Sequence, residues 1–239
     1  MKTYNKQISQ LCVSVFVASL LAGCVTPTQI KQVSVAKPIE VQKLEKKKPI
    51  MFRKMVVKVK RGDEIGTVYA GWFDVPQTKL FWRKGGYMNF SDEDFNPRFR
   101  EELEAANYEV VGDPDALFDD PSEWKAELLV AGLITDLKIN PHFPNGGMGN
   151  FSYSRATAYL KVEWQIFSRL DRKVILKLVT EGSVEQKKSI KNGADDALGD
   201  AFSIAVENLL AEKQFHDLVV SSGEAKMEGR SVSVHFKDP

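Results

Sequence analysis

Cysteine is nearly missing from this 239-residue chain: Cys12 and Cys24 are the only two. Both stand at the extreme N-terminus, so no disulfide can staple the remaining residues, and a folded body must be held by its core alone. Histidine is as scarce. His142, His216 and His235 are the full set, which argues against a structural zinc site. Charge of one sign is lacking too. The 33 Lys and Arg face 32 Asp and Glu, a formal net charge of +1, and that balance speaks against a strongly basic nucleic-acid binder. The apolar run from Leu11 to Leu21 is broken by Ser14 and Ser19 and falls short of the ~20 residues that a membrane-spanning helix needs.

Catalytic signatures are also wanting. No serine lies in Gly-x-Ser-x-Gly, so no nucleophile elbow is signalled. The loop Asn145-Gly146-Gly147-Met148-Gly149-Asn150 lacks the lysine of a phosphate-binding loop and precedes a strand rather than a helix, which leaves its amides without a helix terminus behind them. Asp113, Asp115, Asp119, Asp120 and Glu123 form an acidic stretch, but the glycine and terminal glutamate of a calcium loop are not in register. That stretch reads as a turn with helix-capping acids. The three histidines read as surface or loop residues. No catalytic residue, metal ligand or cofactor is assigned, and the reading is of a protein that is not an enzyme.

What is present begins at the N-terminus. Lys2 and Lys6 give a short positive region, Leu11–Leu21 an apolar core, and Leu21-Ala22-Gly23 a run that ends in small residues just before Cys24. This is the order of a secretory signal, and Leu21-Ala22-Gly23-Cys24 resembles the bacterial lipobox. The resemblance implies cleavage after Gly23 and acylation of Cys24 by a diacylglyceryl group and a third, amide-linked chain. Each buried CH₂ contributes about 0.8 kcal/mol, so three chains make a lasting anchor where one would not. In Gram-negative lipoproteins of this kind, Val25 rather than Asp after the cysteine implies the outer membrane, with the body facing the periplasm. Loss of Lys2 and Lys6 with the signal turns the formal +1 into −1.

The expected organisation is a signal peptide over 1–23, a lipidated flexible tether over 24–49, a globular domain over 50–218 and a polar tail over 219–239. The tether carries Pro27, Pro38 and Pro49 and a cluster of Lys43, Lys46, Lys47 and Lys48. It reads as a solvated linker that reaches at most ~85 Å, its lysines free to meet anionic headgroups. In the domain, Met55–Lys60, Thr67–Phe73 and Lys79–Trp82 read as strands, with a turn at Val75-Pro76-Gln77. Phe95, Phe99, Leu103 and Ala106 recur on one helical face that ends near Asn107. A short strand at Tyr108–Val111 comes next. Glu127–Ile139 reads as a central strand covered on both sides, with a Gly/Pro loop from Pro141 to Asn150. Period-two alternation through Ala156–Ile166 and Lys173–Ser183, around Leu170-Asp171-Arg172, predicts an antiparallel hairpin. Ala194–Phe215 carries a second helical stripe. The fold class is therefore α+β: a mostly antiparallel sheet with two main helices packed on it.

Aromatic residues crowd one region, with Trp72, Phe73, Phe81, Trp82, Tyr87 and Phe90 around predicted turns. Such side chains either fill a core edge or offer a partner surface. Trp72, Phe73, Phe81, Trp82 and Tyr87 are the candidate partner surface.

Three stretches carry a further resemblance: Arg61–Thr67 (RGDEIGT), Phe99–Leu103 with Tyr108–Pro114, and Val162–Arg169 (VEWQIFSR). They resemble an uncharacterised bacterial domain that also occurs ahead of secreted trypsin-like peptidase domains. These motifs are structural, and no protease residue is carried over. More distantly, the element order and Leu128–Ile134 (LLVAGLI) are similar to envelope lipoproteins of the curli-secretion and penicillin-binding-protein-activator kind and to the N-terminal module of TolB. The resemblance implies a non-catalytic, membrane-anchored interaction module of an envelope machine, with an envelope protein as partner. Two other readings stand beside it: a homo- or hetero-oligomeric subunit of an outer-membrane secretion complex, and a hydrolase whose site assembles only in space.

Overall fold

The computed structural model describes residues 25–42, 45–82, 94–112 and 120–220. The signal, Cys24, Tyr87 and the tail beyond Val220 lie outside the described residues. The fold is the expected α+β domain. Among the described residues it has seven strands and three helices: β1 Ile50–Val57, β2 Glu64–Ala70, β3 Val75–Phe81, α1 Phe95–Ala105, β4 Leu128–Phe143, β5 Tyr153–Ser168, β6 Lys173–Glu185, β7 Ile190–Lys191, α2 Gly193–Leu210 and α3 Lys213–Val219.

The sheet runs β3-β2-β4-β5-β6. One edge of β4 pairs with β5 in antiparallel fashion along nearly its whole length. Its other edge is shared. β1 takes Leu128–Ile134 in parallel, and β2 takes His142–Phe143, also in parallel. The hairpin of β5 and β6 forms as predicted, with Arg172 at φ 53° in its turn.

Strand β4 corrects two expectations. It continues through Pro141 to Phe143, where the sequence predicts a loop. Its first half is also buried in alternation rather than on both faces, with Leu128, Val130 and Ile134 pointing into the core, whereas Asn140 is buried on the opposite face under Thr28. Between Ile134 and Asp136 the register with β5 shifts by one residue. Such a bulge flips the alternation, so that odd-numbered Leu137, Ile139 and Phe143 now face the core. The apolar run looks two-sided in sequence because the strand changes phase midway.

The helices cover one face of this sheet. α1 starts at Phe95 after Asp94, holds Pro97 within its first turn, and buries Phe95, Phe99 and Leu103. Asn107 lies just beyond it in the left-handed region at φ 63°. α2 buries the predicted stripe of Ala194, Ala197, Leu198, Ala201, Phe202, Ala205, Leu209 and Leu210. It does not run on to Phe215. The chain is extended at Glu212 and restarts as α3, which turns Phe215 and Val219 into the core against Tyr108. An aromatic cluster joins the layers: Phe95 lies 4.6 Å from Phe202, and Trp164 5.8 Å from Phe99 and 5.9 Å from Phe202. Two glycines let backbones touch. A Cβ on Gly182 of β6 would sit 1.9 Å from the Ala201 carbonyl oxygen of α2, and one on Gly66 of β2 would sit 1.7 Å from that of Ile139.

Residues 25–42 are not the solvated linker expected from their composition. They form a strap bound to the domain. Thr28 N–H donates to Thr67 Oγ1 (3.0 Å), and Asn140 Nδ2 donates to the Thr28 carbonyl (2.8 Å). Farther on, Lys31 pairs with Glu181, Val33 N–H donates to Ser183 Oγ (2.7 Å), and Ala36 N–H to Asn208 Oδ1 (2.7 Å). Ile39 and Val41 then bond the carbonyls of Leu210 and Ala106, with Val41 buried. Thr180 and Gly182 face α2, so Glu181 and Ser183 face the other way. The strap thus crosses the sheet on the side away from the helices, rounds the β6 edge and ends beside α1. The lysine cluster is partly committed as well: Lys47 Nζ donates to the Asn107 carbonyl (2.5 Å) and Lys48 Nζ to that of Leu218 (2.9 Å), where cations suit helix ends.

Candidate interaction site

The β2–β3 hairpin has its turn at Gly71–Asp74, not at Val75-Pro76-Gln77, which is already strand. Gly71 at φ 81° and Asp74 at φ 48° let the chain reverse tightly. The turn is tied to the sheet by Gly71 N–H donating to the Phe143 carbonyl (3.0 Å). Its two central residues then have nowhere to pack. Trp72 is 85 % exposed and Phe73 93 %.

Of the aromatic residues expected to form one surface, the structure therefore keeps two together and removes others. Trp82 is a core residue at 6 % exposure, which corrects its assignment to a partner surface; it closes the far end of the hairpin, where its N–H donates to the Asp63 carbonyl (2.9 Å). Phe81 is half-buried at the end of β3. Tyr87 lies outside the described residues. Sequence reading missed Met148, Phe151 and Tyr153, all exposed. They belong to the loop from β4 to β5 and to the first residue of β5, next to the hairpin turn: Phe151 stands edge-on to Phe143 at 5.2 Å. No periodicity marks them, because the loop that gathers them depends on where β4 ends.

Beneath this apolar tip lies a small polar group. Asp74 is paired with Arg155 of β5, and its Oδ1 lies 3.3 Å from His142 Nδ1. That approach is not a hydrogen bond, and the buried Nδ1 has none among the described residues. The His142 ring stacks on Tyr69 at 4.4 Å and 10°. Burial pushes its pKa below the ordinary histidine value, and the Asp74 carboxylate opposes that shift only in part. His142 is thus neutral at neutral pH. The arrangement latches the turn onto β4 and β5. Lower on the same hairpin, Lys79 holds the Glu64 carboxyl below its usual range, at 2.8 Å, with help from Thr28.

Two other places have some of the chemistry of a site. At the opposite end of the sheet Trp124 and Leu170 are exposed, in two segments joined by Arg169, whose guanidinium donates to the Glu123 carbonyl (2.8 Å). Asp120 caps the short turn there by accepting from Ser122 N–H (2.8 Å); Asp113, Asp115 and Asp119 of that acidic stretch lie outside the described residues. Between α1 and α2 an open groove of about 510 Å³ is lined by Asp94, Arg98, Glu101, Asn192, Asp195 and Asp196. Arg98 is tied to Asp200 at 2.9 Å. Among the described residues no group of three or more His, Cys, Asp or Glu converges as metal ligands would. None of the described helices is long and apolar enough to cross a membrane.

No family model matches the chain, and no curated protein sequence does. Solved structures share the fold only loosely. Protein XCC0632 from Xanthomonas campestris, of family DUF330, is 10 % identical over 76 % of this chain and 91 % of its own, with a TM-score of 0.36. The hypothetical protein CT253 from Chlamydia trachomatis is 10 % identical over 59 % and 74 %, at 0.34. A PelC dodecamer from Paraburkholderia phytofirmans is 9 % identical over 82 % and 100 %, at 0.30. Likeness at this level carries no argument about activity or partner.

Proposed function

We propose that this chain is a lipid-anchored, non-catalytic contact module of the bacterial cell envelope, held by Cys24 at the periplasmic side of the outer membrane. The observation that carries the reading is the N-terminal order of Lys2, Lys6, the Leu11–Leu21 run and Leu21-Ala22-Gly23-Cys24. Val25 supports the outer membrane over the inner one. The exposed Trp72 and Phe73 on a latched turn support action by contact: a rigid, solvent-facing aromatic pair has more use against another surface than in water. Asp74, His142 and Arg155 hold that turn in place, a positioning task rather than proton transfer. Tethering raises the concentration of the module near any envelope partner without new contacts.

The test is made on the native protein. Mass spectrometry of material from cells is expected to show a chain that begins at an acylated Cys24, and fractionation to place it with the outer membrane. Cys24→Ala is expected to release it and to abolish crosslinks to the envelope proteins that copurify with the parent. A native chain that keeps Met1, or a Cys24→Ala variant with unchanged location and partners, refutes the reading.

A further inference from the structure

The strap determines where an anchor at Cys24 must lie. Lys79 Nζ donates to the Thr26 carbonyl at 2.6 Å, and Thr28 is bonded to Thr67, Glu64 and Asn140. In sequence only Val25 stands between Cys24 and Thr26, so an anchor at Cys24 would be tethered to that point by about two residues of chain. Thr67 and Lys79 are paired across the β2–β3 hairpin, and Lys79 is five residues from Asp74, or roughly 17 Å along the strand. The strap that follows Cys24 in sequence is therefore bonded to the same hairpin that carries the Trp72-Phe73 turn.

The composition of this end of the sheet points the same way. The ends of β2–β3, β4, β5 and β7 lie side by side here, because Tyr69 and Ala70 pair with His142 and Phe143, His142 with Arg155, and Tyr153 and Ser154 with Lys191 and Ile190. Across about 15 Å, that row presents Trp72, Phe73 and Met148 and, beside them, exposed Lys187, Lys188 and Lys191. None of these lysines makes an ion pair among the described residues. Among the described residues the acids near this end are Asp74, committed to Arg155, then Glu185, and Asp94, Asp195 and Asp196, which line the groove around Arg98 on the helix side. Aromatic side chains flanked by lysine, next to an acyl anchor, match a bilayer interface with anionic headgroups.

We infer that Trp72 and Phe73 insert into the interface of the bilayer that holds Cys24, so that the β2–β3 end of the domain faces the membrane. This rests on the lipoprotein reading. The lipid surface is the occupant of the exposed tip.

The test uses the chain from residue 24 onward with Cys24→Ser, which keeps every described residue and omits the apolar leader that would itself partition. Trp124→Phe in the same chain leaves Trp72 as the exposed tryptophan among those described, since Trp82 and Trp164 are buried. With vesicles of phosphatidylcholine and 30 % phosphatidylglycerol, Trp72 emission is expected to shift to the blue and to be quenched by brominated lipid. Trp72→Ser with Phe73→Ser, at positions too exposed to affect folding, is expected to lower partition at least tenfold, read by cosedimentation. Lys187→Gln, Lys188→Gln and Lys191→Gln together are expected to lower it about tenfold or more on these vesicles and little on phosphatidylcholine alone. Trp72 emission unmoved by vesicles, or equal partition of the Ser variant, overturns the inference. So does a photo-crosslinker at position 73 that captures protein rather than lipid in cells. Acylation of Cys24 is read separately by mass. An unacylated native chain refutes the anchoring, whereas an acylated chain whose Trp72 stays in water refutes the membrane-facing tip alone.

Discussion

Thr180→Val tests how the sheet and the helix layer are joined. Thr180 sits on β6 between two buried groups. It accepts from Trp164 Nε1–H at 2.7 Å and donates to the Ala205 carbonyl of α2 at 2.7 Å. Trp164 has no exposed surface and Thr180 is 5 % exposed, so water cannot replace the hydroxyl. Valine has the same shape and fills the space, which removes the cavity contribution and leaves the polar one. The Ala205 carbonyl retains its bond within the helix, and losing Thr180 leaves it little worse off. The indole N–H loses the hydroxyl it donates to, and an orphaned buried donor costs about 1–3 kcal/mol. With the second bond included, the expected loss is roughly 2–3 kcal/mol, a large part of a typical 5–15 kcal/mol. In urea unfolding at pH 7.5 the midpoint should fall with the slope unchanged. A cycle with Trp164→Phe should show that the two substitutions together cost less than the sum of each alone, since removing both partners orphans nothing further. A Thr180→Val loss below about 0.5 kcal/mol, or strict additivity, would refute this account of the core.

Gly182→Ala should be more damaging than its size implies. Its Cβ would meet the Ala201 carbonyl oxygen at 1.9 Å and the Ala205 nitrogen at 2.6 Å, both backbone atoms of α2, so the helix must lift from β6; a loss of about 3 kcal/mol is expected by thermal unfolding. His142 should make stability fall as the solution is acidified. Its folded-state pKa is below the ordinary value because of burial, so the unfolded chain takes up a proton first: the contribution of His142 is complete above about pH 6.5 and is lost progressively as pH falls from there towards the folded-state value. Urea midpoints at pH 7.5 and 5.5 should differ less in His142→Phe, which keeps the stack on Tyr69, than in the parent.

Much of the fold is legible in the sequence because it arises from local period. The hairpin of β5 and β6 alternates cleanly from Ala156 to Ile166, and the stripe of α2 repeats at helical spacing, so element type and partner can both be read. The misreadings have physical causes. The bulge after Ile134 reverses the phase of β4, so that a run of core-facing residues in alternation looks continuous in sequence. Pro76 and Pro141 read as breakers, yet each lies within a strand, where the pairing does not require a donor from it. The strap is illegible for a different reason. Its Thr, Gln, Lys and Pro residues are mixed with Val25, Ile30, Val33, Val35, Ile39 and Val41 without a sustained period, and the segment is held by backbone N–H groups that find Thr67, Ser183 and Asn208 from afar. Composition resembling a linker does not exclude order when a partner surface supplies the acceptors. The candidate surface is not separable in sequence: the clustered aromatics read equally as a core edge or a partner surface, and nothing local distinguishes the exposed Trp72 and Phe73 from Trp82, whose burial depends on how the hairpin closes.

The strap also changes what anchoring can do. A free linker of ~25 residues would let the domain wander up to ~85 Å from the bilayer and turn in any direction. Docking at Thr26 and Thr28 leaves only Val25 between the bonded strap and an acylated Cys24, so the body would be held within roughly 10 Å of its anchor. The two exposed apolar ends of the sheet then become inequivalent. The turn of Trp72 and Phe73 is on the hairpin to which Thr26 and Thr28 bind. Trp124 and Leu170 lie at the other end of β4, whose 16 residues span at most about 50 Å. If the first end meets lipid, the second points away from the membrane, to where periplasmic proteins are. On that geometry the search for a protein partner belongs at Trp124 and Leu170, with the strap and the acyl group jointly setting their height and direction.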